Sequence, residues 1–372
     1  CYYFYSNSNL LFLKILKSLY LSIFSQNKII PILPIKKKII IDEQQIKSII
    51  FLLLNNNLKK FKNIIYDNLI KSIEDVNSYE SYAYEIISNY NVKLLITDQI
   101  RWKDGIGVAS AFKRKKIPVF LISHNTHSLS NTDLSNKIQF HNSYGLLESD
   151  ISSFNVIQSE QAYLFYKKYF NEKKIIFSKP IMWGYKNQQI NHDNNNEFII
   201  VIADTIKSLY QIPLIYEDSY GYLDNITEIL DNLEKIDNVK TILRFRPDST
   251  ISLNLMNDYV KKYKNIYLST NGDFLNVIKN ANLLISHSST TIEEAMNLNI
   301  PVGLYPGKNE YYHISKINKH NHDLIYNLSK KNFANEIYDI LNKTNKLKNK
   351  SKLNKSWNIN NNALIDKINE YL

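Results

Sequence analysis

The sequence predicts an α/β protein of two Rossmann-like domains with parallel sheets. Three observations predict it. From residue 92 onwards, short apolar runs alternate with amphipathic stretches of 10–15 residues, the pattern of a parallel sheet with helical crossovers. The chain has 372 residues, long for one core and comfortable for two domains. A polar stretch without apolar periodicity, residues 185–197 (Tyr-Lys-Asn-Gln-Gln-Ile-Asn-His-Asp-Asn-Asn-Asn-Glu), interrupts the alternation. The expected division is therefore an N-terminal domain over 1–185, a linker over 186–197 and a C-terminal domain over 198–372.

In the first half, residues 9–24 read as an amphipathic helix, with Lys14, Lys17, Ser18 and Ser22 near one stripe. Residues 39–41 read as a strand ending at Asp42. Residues 44–70 read as a helical region broken near Asn55-Asn56-Asn57, and 79–90 as another helix. A buried strand over 92–97 ends in Asp98. The helix over 105–115 carries small residues (Gly107, Ala109, Ala111) suited to close packing on a sheet. A strand over 117–123 ends at His124. Short strands follow at 144–147 and 155–157, then a helix over 159–170 opened by Ser159, and a strand over 174–177.

The second half restarts the alternation. Strands are expected at 198–202, 239–245, 266–268, 283–285, 302–305 and 324–326. Helices are expected at 223–236, 253–263, 273–279, 292–298, 333–341 and 363–372, with an exposed Lys/Asn-rich segment over 343–362.

Composition narrows the class. Cys1 is the single cysteine, so no disulfide framework or cysteine-based metal site is possible within the chain, as in a reducing cytosol. No apolar run reaches the ~20 residues of a membrane span, and no signal-peptide cleavage pattern follows the first helix. The net charge is +11. Residues 1–185 hold 24 Lys+Arg against 14 Asp+Glu, whereas residues 186–372 hold 22 against 21. The basic half suggests an anionic partner such as a phospholipid surface, an acidic glycan or a nucleic acid. The plainer account is the lysine drift of an AT-rich genome.

Residues 281–305 are the richest stretch: strand, hydroxyl-rich turn, short helix, strand. Ser286 to Thr291 offers five hydroxyls and one imidazole, His287. Such a turn can point backbone N–H groups and a helix dipole at a phosphate or carboxylate. An ordinary helix cap uses the same residues but needs only one or two of them. Ser288, Ser289, Thr290 and Thr291 are therefore candidates to hold a diphosphate, and Glu294 to accept from ribose hydroxyls. Arg244 and Arg246 alternate along a strand end and suit phosphate through their fork geometry. A surface ion pair is the plainer role for either Arg, and dipole compensation for one of Glu293 and Glu294. In the first half, Asp98 and His124 follow strands and are candidate bases, with Arg101 and His127 beside them. A turn cap or a structural hydrogen bond would equally account for them.

No Gly-x-x-x-x-Gly-Lys-Ser/Thr loop, no Gly-x-Gly-x-x-Gly, no His-Glu-x-x-His and no Asp-x-Asp pair occurs. Metal-independent chemistry is expected, with a helix terminus and basic side chains stabilising a diphosphate leaving group.

The run Asn280-Ala281-Asn282-Leu283-Leu284-Ile285-Ser286-His287-Ser288-Ser289-Thr290-Thr291-Ile292-Glu293-Glu294-Ala295, with Asn299-Ile300-Pro301-Val302, resembles the nucleotide-sugar motif of GT-B glycosyltransferases. It is most similar to bacterial enzymes of surface polysaccharide, capsule and lipopolysaccharide biosynthesis. Arg244-Phe245-Arg246-Pro247 resembles a basic-Pro element of related transferases. The resemblance implies that the Ser/Thr turn holds the donor phosphates, that Glu294 contacts the donor ribose and that Glu310 contacts the donor sugar. It implies two domains facing a cleft, no metal and no cofactor beyond the nucleotide-sugar co-substrate. The implied partners are a glycan or lipid-linked acceptor, not nucleic acid. The implied location is cytoplasmic, with peripheral contact between the basic half and an anionic membrane. Nucleotide-sugar 2-epimerases share a similar turn, and a non-catalytic nucleotide-sugar-binding protein remains a third reading. Asn299 stands where the family usually has Gly; Asn tolerates the left-handed backbone.

Overall fold

The computed structural model describes residues 62–123, 127–181, 197–204, 219–246, 251–306, 311–315, 324–348 and 362–372. The expected helix at 9–24, the strand at 39–41, the break near residue 56 and the stretch 186–196 lie outside them, as do His124, Pro247 and Glu310. The described chain is α/β. One sheet has four strands in the order β1-β2-β3-β4: Leu95–Thr97, Val119–Ile122, Phe154–Ile157 and Ile175–Phe177. The other has six and is considered below. The described residues divide into two compact units, 62–122 with 144–155 and 367–372, and 127–143 with 156–366, to which Ser123 also belongs.

In the first unit, α1 (Lys62–Asn89) is a single 28-residue helix. The sequence reading ended one helix at 70 and began another at 79. Nothing in residues 71–78 breaks it, since neither Gly nor Pro occurs there, and Ser72 and Ser78 donate to the carbonyls of Asn68 and Glu74. Helix α2 (Lys103–Arg114) packs on it. A Cβ on Gly107 would lie 2.4 Å from the Val76 carbonyl oxygen and 2.7 Å from Tyr79 Cβ. The small residue at 107 therefore serves helix-to-helix contact with α1, not contact with the sheet. Lys103 pairs with Asp75 at 2.6 Å and Arg114 with Glu80 at 3.1 Å. Ala83, Ile86, Leu95, Val108, Phe112 and Leu121 form the core.

Two strand expectations change here. β1 is a partly exposed three-residue strand and not a buried one, with Ile96 49% exposed. Residues 144–147 form a turn with an isolated bridge from Tyr144 to Glu148. Gly145 takes φ +75 there, a conformation that interrupts a strand.

In the second unit, helices α3 (Asp133–Ser143) and α4 (Glu160–Tyr169) come from the first half of the chain. Ser159 caps α4 as its sequence suggested, accepting from the Ala162 amide. Helix α3 has no counterpart in the sequence reading. Its buried positions are Ser135, Asn136, Gln139 and Ser143, so it has no apolar stripe to betray it.

The six-stranded sheet is built from β5 (Phe198–Ala203), β6 (Val239–Arg244), β7 (Ile266–Ser269), β8 (Leu283–Ser286), β9 (Val302–Leu304) and β10 (Ile325–Asn327). Its order is β10-β9-β8-β5-β6-β7, and every neighbouring pair is parallel. Counted from β5, this is the doubly wound order 3-2-1-4-5-6, whose switch point lies between β5 and β8. Alternate residues of these strands feed the two faces. Ile200, Ile202, Leu283 and Ile285 join α5 (Ser219–Leu233), α6 (Leu253–Val260) and α9 (Phe333–Lys348). Val201, Ala203 and Leu284 join α7 (Phe274–Ile278) and α8 (Thr291–Asn297) on the other face. Burial of each large aliphatic here contributes about 1.5–3 kcal/mol. The C-terminal helix α10 spans Asn362–Asn369. Its final residues belong to the first unit, where Lys367 lies 5.1 Å from the Phe154 ring and Tyr371 lies near Phe120 and Phe154.

Candidate functional site

Doubly wound sheets bind ligands beyond the carboxyl ends of the strands, at the switch point. Here that point is formed by Asp204, just after β5, and by the turn from Ser286 to Thr291 after β8. The two are joined directly. Asp204 Oδ2 accepts the backbone N–H groups of His287 at 2.7 Å and Ser288 at 3.3 Å. The turn is thus held by a carboxylate of the chain itself, which takes the first two amides that an external anion could use.

The surplus of hydroxyls that marked this turn is largely spent inside the protein. Ser286 is buried at the end of β8. Ser288 Oγ lies 3.1 Å from His313 Nδ1. Ser289 Oγ accepts the amide of Thr291, the first residue of α8, at 3.3 Å. Thr291 Oγ1 donates to the Ala203 carbonyl at 3.5 Å. Helix α8 itself has only seven residues, so its dipole is short. Thr290 and Glu294 are partly exposed at its start.

Around Ser288 runs a buried polar network. Gln139 of α3 donates to Tyr311 Oη at 2.8 Å, and Tyr311 Oη lies 3.3 Å from His313 Nδ1. Burial raises the Tyr311 phenol well above its usual range, so it stays protonated. The strip 128–131 runs beside 311–315: Ser128 Oγ donates to the His313 carbonyl, Ser315 N to the Leu129 carbonyl and Tyr312 N to Asn131 Oδ1. His127, at the head of that strip, is 5% exposed and packs on the Phe165 ring.

His287 is half-buried at the centre of the turn. Its Nδ1 donates to the Tyr305 carbonyl at 3.1 Å, and its ring meets Tyr311 edge-on at 5.6 Å. A small cavity beneath the switch point is lined by Asp204, Asn225, Ser286, His287 and Tyr305 among apolar side chains, with room for about one water molecule.

Glu293, in the first turn of α8, is 4% exposed. Its Oε1 accepts from Ser159 Oγ at 2.8 Å. Burial pushes its carboxyl up to about 8, against a smaller lowering by the Ser159 hydrogen bond. It is therefore mainly neutral at pH 7 and cannot compensate a dipole with charge.

The remaining candidates are placed as follows. The Arg244 guanidinium donates to Ser269 Oγ at 3.2 Å and to the carbonyls of Asn271 and Gly272 at 2.7 Å each, closing the turn after β7. Arg246 is exposed beyond the end of β6. Asp98 is exposed after β1, and Arg101 lies over the Trp102 ring; both belong to the first unit. Among the described residues no group of three or more His, Cys, Asp or Glu is placed to hold a metal ion. Sequence reasoning missed Asp204, His313 and Gln139, whereas Tyr311 falls in the stretch 306–312, which follows a strand and is a place to look for site residues. The signal for Asp204 was present, since it follows a buried strand as Asp98 was expected to. The other two belong to segments with no motif.

No protein-family model matches the chain, and no curated protein matches it. Among solved structures it is similar to the UDP-GlcNAc 2-epimerase of Neisseria meningitidis bound to UDP-GlcNAc, at 12% identity and TM-score 0.49 over 80% of this chain and 81% of that one. It is similar to Acinetobacter baumannii MurG at 9% identity and TM-score 0.46, over 100% of this chain and 98% of that one. It is also similar to the pneumococcal O-GlcNAc transferase GtfA in complex with UDP and GlcNAc, at 12% identity and TM-score 0.43, over 74% of this chain and 54% of that one. The solved structures similar to this chain thus include both a sugar epimerase and a sugar transferase.

Proposed function

We propose that the protein is a metal-independent glycosyltransferase of the GT-B type, moving a sugar from a nucleotide-sugar to a surface glycan or lipid-linked acceptor. The observation that carries the reading is the position of the Ser/Thr turn. The one stretch of sequence resembling a nucleotide-sugar motif falls at the switch point of a doubly wound sheet, where such sheets bind nucleotides. The amides of His287 and Ser288 are already spent on Asp204. The diphosphate therefore falls to Ser289, Thr290 and the exposed Arg246, with Glu294 on the ribose. The first unit, basic in sequence, serves the acceptor and an anionic membrane surface. That membrane contact is peripheral in this proposal; among the described residues no helix is long and apolar enough to cross a membrane.

The test is a thermal-shift panel of UDP-, GDP-, CDP- and CMP-sugars, followed by incubation of the stabilising donor with and without acceptors. Transfer to an acceptor is the expected result. Epimerised sugar formed without any acceptor would replace the transferase by a 2-epimerase. Binding without turnover would leave a nucleotide-sugar-binding protein.

A further inference from the structure

We propose that Glu293 is a positioning residue for the Ser/Thr turn, and that the proton it carries keeps α8 seated on the head of α4. The inference goes beyond the nucleotide-sugar reading and rests on it only where a nucleotide is the probe.

Three observations carry it. Glu293 stands in the first turn of α8 yet is 4% exposed. Its Oε1 accepts from Ser159 Oγ at 2.8 Å, and that hydroxyl in turn accepts the Ala162 amide at the head of α4. Its Oε2 is buried, with no hydrogen-bond partner among the described residues. A buried carboxyl with one hydrogen bond to one oxygen and none to the other is poorly solvated as a charge, and such a group keeps its proton instead. The surroundings supply no counter-charge. Helix α4 brings Glu160 beside the cap, and His127 packs on its Phe165. Helix α8 itself adds Glu294, the turn adds His287, and the segment 311–315 adds Tyr311 and His313. None of these, and no Lys or Arg among the described residues, shifts the carboxyl, whose position is set by burial and then by Ser159.

The turn moves with this residue. The backbone amides of Glu293 and Glu294 both donate to the Thr290 carbonyl, at 3.1 and 3.2 Å. The bond to Ser159 therefore ties Thr290 and the first turn of α8 to α4 as one piece. Loss of the proton leaves a buried carboxylate with a single hydrogen bond, which is better solvated once it leaves the contact. With the contact open, the carboxyl ionises near its ordinary value; with it closed, only at about 8. Between those values the closed form binds more protons. Opening therefore grows by up to about tenfold per pH unit as pH rises, and levels off above about 8.

The experiment follows amide hydrogen exchange in the full chain from about pH 5.5 to 9, corrected for the intrinsic pH dependence of exchange. Protection of the backbone amides of residues 293 and 294 should fall about tenfold per pH unit up to about pH 8 and then level off. It should start lower than the protection of the Leu284 amide in β8. In Glu293→Gln it should not vary with pH. A flat wild-type profile, or the same slope in Glu293→Gln, would overturn the inference. So would protection equal to that of Leu284, because the carboxyl would then be freed only by global unfolding. The nucleotide that gives the largest thermal shift in the panel above is then titrated calorimetrically at about pH 6 and 8.5. Between these the wild type should lose affinity by at least about threefold more than Glu293→Gln, as the seated form becomes less populated. Equal losses would overturn the positioning role while leaving the nucleotide-sugar reading in place. If no nucleotide binds, that reading fails, and the exchange profile still decides whether the proton seats α8.

Discussion

Glu293 Oε1 accepts a hydrogen bond from Ser159 Oγ at 2.8 Å, and the same hydroxyl caps helix α4. A buried acid on α8 is thereby tied to a segment 134 residues earlier in the chain. Burial holds the carboxyl at about 8. The unfolded chain releases this proton near the ordinary carboxylate value, and the folded chain keeps it until pH 8. Between those values the folded state binds more protons, so stability falls as pH rises and levels off above about 8. The slope is about 1.4 kcal/mol per pH unit at most.

Glu293→Gln keeps an acceptor for Ser159 and removes the ionisation. Urea unfolding at pH 5, 7 and 9 should show the variant gaining on the wild type by a few kcal/mol between pH 5 and 9. A constant difference across that range would mean that the carboxyl titrates normally in the folded protein.

Glu294 is partly exposed one position further on. Glu294→Ala should weaken nucleotide affinity about tenfold or more, the effect of losing a charged hydrogen bond, with an unchanged melting temperature. Calorimetric titration with the nucleotide found in the donor screen measures it. Unaltered affinity removes the ribose assignment.

Asn299 takes φ +58 at the end of α8. Asn299→Ala should cost about 1 kcal/mol, because Ala keeps the Cβ strain of the left-handed region and loses the short polar side chain that lets Asn tolerate it. Asn299→Gly should stay within about 0.5 kcal/mol of the wild type, as relief of strain and loss of chain stiffness offset each other. Equal stability of the two variants in denaturant would contradict the left-handed geometry.

Gly107 faces the backbone of α1. Gly107→Ala gains about 1 kcal/mol in helix propensity. The new Cβ, 2.4 Å from a backbone oxygen, forces α1 and α2 apart at a cost of about 1–3 kcal/mol or more. The net effect should be a loss of stability, measured by chemical denaturation. A more stable variant would mean that the two helices are further apart than described.

The second sheet was legible from sequence because its central strands β5, β8 and β9 read as apolar runs, and β6 alternates buried with partly exposed residues. All six strands fall within a few residues of expectation, and α9 runs to Lys348, into the stretch expected to be an exposed Lys/Asn-rich segment. The first unit was less legible. β1 has only one buried residue, and α1 continues where its charged and polar residues suggested a gap. At the site, the turn was found from its hydroxyls, yet their surplus proved mostly internal. Asp204 and His313 satisfy groups that the sequence left looking available. Hydrogen bonds of that kind join segments 25 to 84 residues apart and leave no local pattern.

The fully buried side chains of helix α3 are all polar, and its Phe140 is partly buried against the rings of Tyr169 and Phe170. Ser130, Asn136 and Thr132 fix its start, and Gln139 reaches Tyr311. Exposing polar surface lowers heat capacity, whereas exposing apolar surface raises it. Detachment of α3 should therefore carry a smaller heat-capacity change than detachment of α5 with its five buried apolar side chains. Cooling should then weaken the seating of α3 less than that of α5, and amide hydrogen exchange followed down in temperature would read the difference.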